Sequence, residues 1–140
     1  VKPLDPETLI EMLPATPDDI ERGLLTFEHV APVEFRSPGF IRYAIKEGWT
    51  RPEVVGVDGR RQYLITWHPA NDGGFFVDIA QSLAPGGNIG FICAAMDGLA
   101  ARQRAPYIRF ATKRRGLARA VAPYGYTPEA VLCVKGLATA

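Results

Sequence analysis

The sequence is short of metal ligands and of long apolar runs. It holds two cysteines and two histidines, and their positions lack the close spacing of a zinc site. No structural metal is expected. No apolar run reaches the roughly 18 residues that span a bilayer, so no membrane partner is expected. The opening residues, VKPLDPETLI, carry no signal-peptide core, which leads to the expectation of a cytoplasmic protein. Cys93 and Cys133 sit inside the apolar runs FICAAM and AVLCVKG, so both read as buried thiols.

Acidic residues are scarce at one end. Residues 101–140 carry eight Lys and Arg against one acid, Glu129, which leaves +7, while the first 100 residues carry −6. Such asymmetry suits an anionic partner, and residues 102–119 are the candidate stretch for nucleic acid or another polyanion. A merely solvated basic face fits the same composition.

What is present is ordinary for one globular domain. The chain has 140 residues, 47% apolar and 22% charged, long enough for one core. TLIEML (Thr8–Leu13) reads as a first strand. Thr16 is a good N-cap, Pro17 suits the first helical position, and Asp18 and Asp19 complement the dipole of the helix that follows. Ser37, Pro38 and Gly48 bound a second helix in the same way. The period then shortens. EVVGVDGRRQYLITWH is two apolar runs around Asp58-Gly59, a hairpin signal. GGFFVDIAQSL is a further strand, and PGGNIGFICAAMDGLAARQR is a glycine turn feeding a helix. YIRFAT, KRRGLARAVA and EAVLCVKGL read as strand, helix and last strand. The order predicts an α/β (α+β) fold, with a mixed, mostly antiparallel central sheet and helices on both faces. The strands near 74–82 and 107–112 should run parallel and splay apart beyond Gln81.

That order, with LPATPDDIERGL at the start and PYIRFATKRRGLARAVAPYGYTPEAVLCVKGL at the end, resembles the GNAT N-acyltransferase superfamily over nearly the whole of residues 1–140. The resemblance implies acetyl-coenzyme A as cofactor and a small-molecule or peptide amine as acceptor. It also places a pyrophosphate-binding loop after the fourth strand, at SLAPGGNIGF. Leu83, Gly86, Gly87, Asn88, Ile89 and Gly90 are then the cofactor-binding candidates, because glycines allow close backbone approach and a helix N-terminus offers free amides. RRGLARA fits the loop pattern in its letters, but only one strand follows it, so it reads as the fourth helix. Pro85 stands where the family often has Arg or Gln. Asn88 stands where a third Gly is usual. In the fourth helix the positions of a cofactor-contacting Asn and a proton-donating Tyr fall on Arg114 and Val121, and Arg114 joins the cofactor candidates.

Acyl transfer to an amine needs a path for one proton. Asp78, in the strand before the loop, is the first base candidate, and His68, ending LITWHP, is the second, since imidazoles titrate near neutral pH. Tyr124 is the candidate acid, with Tyr126 beside it read as core. Arg36, Arg42 and Tyr43, in FRSPGFIRY, are candidates to face an acceptor. The second reading is a GNAT-like protein without acetyltransferase activity. Such phage proteins include virion components and DNA-modifying relatives, and a virion would then replace the cytoplasm. An oligomer is compatible with either reading.

Overall fold

A computed structural model describes residues 4–30, 37–111 and 115–128. Its elements are β1 (Ile10–Pro14), α1 (Pro17–Val30), α2 (Pro38–Lys46), β2 (Arg51–Val57), β3 (Arg60–Pro69), β4 (Phe75–Ser82), α3 (Ile89–Gln103), β5 (Ile108–Arg109) and α4 (Arg115–Val121). The last strand expected from the sequence, EAVLCVKGL, lies outside the described residues.

The local signals act as the sequence predicts. Thr16 Oγ1 accepts the Asp19 amide at 3.2 Å, and Asp19 Oδ2 accepts the Thr16 amide at 2.8 Å, so the two ends of the first turn of α1 satisfy one another. Ser37 Oγ accepts the Phe40 amide at 3.1 Å and Pro38 opens α2. Between β2 and β3, Asp58 and Gly59 both have positive φ, 50° and 81°, as a type I′ hairpin turn requires.

The sheet has the order β1-β2-β3-β4-β5. The first four strands are antiparallel neighbours, and β4 and β5 run parallel. On one face Trp67, Phe75, Ile65 and Tyr63 pack against Met96, Leu99 and Ala95 of α3. On the other face Leu64, Val54 and Ile79 pack against Leu24 of α1 and Ile41 of α2. The C-terminal end of α3 is tied to the sheet through Glu53, which accepts from Arg102 at 2.8 Å and from the Trp67 indole at 2.6 Å.

Two irregularities bear on function. Val55 faces Tyr63 and Gly56 faces Arg61, so Gln62 is an extra residue in β3. Trp67 faces Val77 and Thr66 faces Ile79, so Asp78 is an extra residue in β4. A bulge bends its strand and raises the local twist. Among the described residues, pairing of β4 with β5 is confined to Phe75↔Ile108 and Phe76↔Arg109. The strands therefore separate from Val77 onward, earlier than the Gln81 expected from the sequence. The bulge at Asp78 bends β4 at that point, well before the Pro85-Gly86-Gly87 turn.

Asp19 also joins the sheet to α1. Arg61 Nη2 lies 2.6 Å from Asp19 Oδ2, and this hydrogen bond is the main reason the Asp19 carboxyl drops to about 2. A carboxylate lowered from 3.8 stabilises the fold above its unfolded value and loses that contribution as pH falls through the folded one. The contribution at neutral pH is about 2 kcal/mol. Asp19→Asn should remove it and flatten stability against pH between about 4 and 2, read by denaturant titration across that range.

Candidate active site

Beyond Phe76 the cleft between β4 and the following elements is lined on one side by Val77, Asp78, Ile79 and Ala80. The other walls come from Ile89, Ile92, Cys93 and Met96 of α3, from Phe110, from Leu117 and Val121 of α4, and from Tyr126. Its volume is about 120 Å³, and most of the lining side chains are apolar. Burial and the charge of Asp97 push the Cys93 thiol up to about 11, so it stays protonated and is no nucleophile at neutral pH. Burial likewise pushes the Tyr126 hydroxyl well above the ordinary tyrosine range, with the Cys93 and Asp97 charges adding to it. Tyr126 packs edge-on against Phe110, 5.5 Å between centroids.

At the bulge the cleft meets a polar group. Asp78 Oδ2 accepts the Thr50 hydroxyl at 2.6 Å and lies 2.7 Å from His68 Nδ1. The Asp78 side chain is 8% exposed and that of His68 34%. A carboxylate can only accept, so the hydrogen bond places the His68 proton on Nδ1 and leaves Nε2 with its lone pair in the neutral ring. The ring is held from a second side by stacking on Phe76, with centroids 5.3 Å apart and planes 7° apart. Trp67 belongs to the α3 face, so by strand alternation His68 faces the α1/α2 side of the sheet. The pair therefore stands across the sheet from α3 and shares Asp78 with the cleft. Asp78 and His68, named separately from the sequence, form one unit, and Thr50 completes it. Nothing in the sequence pattern pointed to Thr50.

The loop after β4 is held by side chains that sequence reasoning missed. Arg22 Nη2 donates to the Leu83 carbonyl at 2.8 Å. The bulged Gln62 donates through Nε2 to the Ala84 carbonyl at 2.8 Å, and its backbone carbonyl accepts the Leu83 amide, also at 2.8 Å. Arg60 Nη1 donates to the Pro85 carbonyl at 3.1 Å. Leu83 is buried in the α1/α2 core, and both its backbone groups are engaged, so it supports the loop from below. Gly86 takes φ +81°, a conformation that suits glycine. Gly87 backs onto Tyr63, where a Cβ would overlap the hydroxyl. Burial raises the Tyr63 hydroxyl above its usual range, and the Asn88 amide, hydrogen-bonded to it, pulls the other way. The Asn88 side chain caps α3 by accepting the Gly90 amide at 2.8 Å. Of the five amides expected to face an anion, those of Asn88 and Gly90 are thus already spent. Among the described residues no acceptor meets the amides of Gly86, Gly87 and Ile89.

Solved structures share this overall fold. An acetyltransferase of Trypanosoma brucei superposes with a TM-score of 0.60 at 12% identity, over 91% of this chain and 99% of that one. A GCN5-related N-acetyltransferase of Ralstonia eutropha gives 0.61 at 15% identity, over 90% and 97%. A GNAT family acetyltransferase of Brucella melitensis, solved in complex with acetyl-CoA, gives 0.57 at 16% identity, over 86% and 84%. The chain has a GNAT-like fold. No protein-family profile matches the sequence. No curated protein matches it either.

In this GNAT-like fold SLAPGGNIGF follows β4 and feeds α3, while RGLARAV forms α4. Arg114 lies outside the described residues, as do Phe35 and Arg36. The tyrosines separate. Tyr126 lines the cleft. Tyr124 lines a wider outer cavity with Pro106, Tyr107 and Arg109, and its hydroxyl lies 2.8 Å from where a Cβ on Gly90 would stand. Of the acceptor candidates, Arg42 pairs with Glu21 at 3.0 Å, and Tyr43 stands half-exposed against Trp49, 5.2 Å between centroids. The basic half is partly spent within the fold. Arg102 pairs with Glu53, and Arg109 lies 4.1 Å over the Tyr107 ring. No helix among the described residues is long and apolar enough to cross a membrane.

Proposed function

We propose that the chain is a coenzyme A-dependent N-acyltransferase that moves an acetyl group to an amine, either a small molecule or a peptide. One observation carries the reading. The bulge at Asp78 coincides with the parting of β4 from β5, and the apolar cleft there is lined in part by Asp78, whose carboxylate holds His68. The residues present fit the cofactor, because the amides of Gly86, Gly87 and Ile89, which meet no acceptor among the described residues, suit phosphate oxygens, and the cleft suits an apolar arm.

Bound acetyl-coenzyme A supplies an activated acyl group as a thioester. The loop amides and the start of α3 hold phosphate. The cleft walls, Val77, Ile92 and Leu117 among them, exclude water from the reacting end. Past Phe76↔Arg109 no further β4–β5 pair forms among the described residues, which would leave room beside β4 for the thioester carbonyl. His68 accepts the amine proton at Nε2, while Asp78 fixes the ring and balances its positive charge. Tyr126 keeps its proton inside the cleft, available to the leaving sulfur.

Acetyl-coenzyme A at 100 times its dissociation constant should stabilise the protein by about 2.7 kcal/mol, seen as a rise in melting temperature. Thiol release that depends on added amine would establish turnover. No thermal shift and no calorimetric binding at millimolar ligand would move the chain to the second reading, a GNAT-like protein without transfer activity. That reading draws on Pro85 in the loop and Val121 in α4.

A further inference from the structure

We propose that Arg60 supplies the cationic contact to a cofactor phosphate that the loop itself lacks. The inference rests on the coenzyme A reading above and adds a residue to it. Pro85 removes both a side-chain cation and a backbone donor from the loop, and Asn88 and Gly90 have already spent their amides. Three amides remain, with no charge among them.

Arg60 stands beside this gap. It is the first residue of β3, directly after the tight Asp58-Gly59 turn, so its backbone is well fixed. Its Nη1 donates to the Pro85 carbonyl at 3.1 Å and lies 3.8 Å from where a Cβ on Gly86 would be. One bond to a carbonyl leaves most of the guanidinium's N–H donors available. Two other arginines approach the same region, and both meet carboxylates. Arg61 pairs with Asp19 at 2.6 Å, and Arg22 lies 3.9 Å from Asp18. Among the described residues no carboxylate pairs with Arg60, so its charge is uncompensated next to Gly86. A guanidinium so placed, exposed and near free amides, suits a phosphate oxygen. The contact comes from the β2–β3 hairpin, 25 residues before the loop position it replaces.

Calorimetric titration tests this with acetyl-coenzyme A, its dephospho form and a phosphate-free acetyl-pantetheine. Wild-type binding of acetyl-coenzyme A tests the parent reading, and the variants test Arg60 alone. Arg60→Ala should weaken acetyl-coenzyme A binding roughly tenfold and leave acetyl-pantetheine binding unchanged. Arg60→Gln, which keeps a donor without the charge, should lose nearly as much, and Arg60→Lys less. Both neutral variants should flatten the dependence of affinity on salt. An equal loss with the dephospho form assigns the contact to the pyrophosphate, and a loss absent there assigns it to the 3′-phosphate. Unchanged acetyl-coenzyme A affinity in Arg60→Ala overturns the proposal. So does an equal loss with acetyl-pantetheine, which would mean that Arg60 only shapes the loop through Pro85.

Discussion

Replacing His68 by Ala will lower amine-dependent acyl transfer by roughly 10²–10⁴-fold, the usual contribution of a positioned general base. The binding of acetyl-coenzyme A will stay within about twofold of wild type, because His68 faces the opposite side of the sheet from α3. Asp78→Asn should lower turnover by a similar factor through a different route. Asn keeps the size but loses the negative charge that holds Nδ1–H and balances the imidazolium. Thr50→Val removes one hydrogen bond at 2.6 Å and should cost less than either. Added imidazole should restore part of the His68→Ala activity and none of the Asp78→Asn activity. A His68→Ala enzyme with wild-type turnover would remove the pair from the mechanism.

Gly87→Ala should weaken acetyl-coenzyme A binding by more than tenfold. The added Cβ would overlap the Tyr63 hydroxyl and lie 2.9 Å from Cζ of that ring. Tyr63 is buried beneath the loop, so either the ring or the loop must move. Overpacking of this kind costs about 1–3 kcal/mol, and a shift of the loop misaligns the Gly87 and Ile89 amides together. Tyr63→Phe removes the atom in closest conflict, so Tyr63→Phe with Gly87→Ala should bind better than the two separate losses would give. Gly116→Ala is the control in α4, where no atom of the described residues lies within 4 Å of an added Cβ. It should leave binding intact. Loss of binding in Gly116→Ala with retention in Gly87→Ala would move the phosphate cradle to RGLARAV.

Local chemistry was legible because its causes are local. Thr16 with Asp19, Ser37 with Pro38, and Asp58-Gly59 each act within four residues, and the composition of those residues is enough to set a cap or a turn. The placement of SLAPGGNIGF after β4 followed from the order of elements, which hydrophobic period reveals. YIRFAT looked like a six-residue strand and pairs over two residues, Ile108–Arg109. Its own propensity is that of a strand, but the partner it would need bends away at Asp78.

The site itself depended on pairs distant in the sequence. Asp78 and His68 were each visible as residues that can carry a proton. Their 2.7 Å contact required two antiparallel strands in one register, with a bulge that no residue type announces. Arg22, Arg60 and Gln62 reach the loop across 61, 25 and 22 residues, and nothing in their neighbourhoods marks them. The sequence by itself determined the caps, the hairpin turn, the glycine loop and the order of strands and helices, because steric and hydrogen-bonding preferences of neighbouring residues suffice for these. The tertiary structure alone decided where β4 leaves β5, which nitrogen of His68 is free and which loop amides remain unpaired, because each depends on atoms that strand pairing brings together from far along the chain.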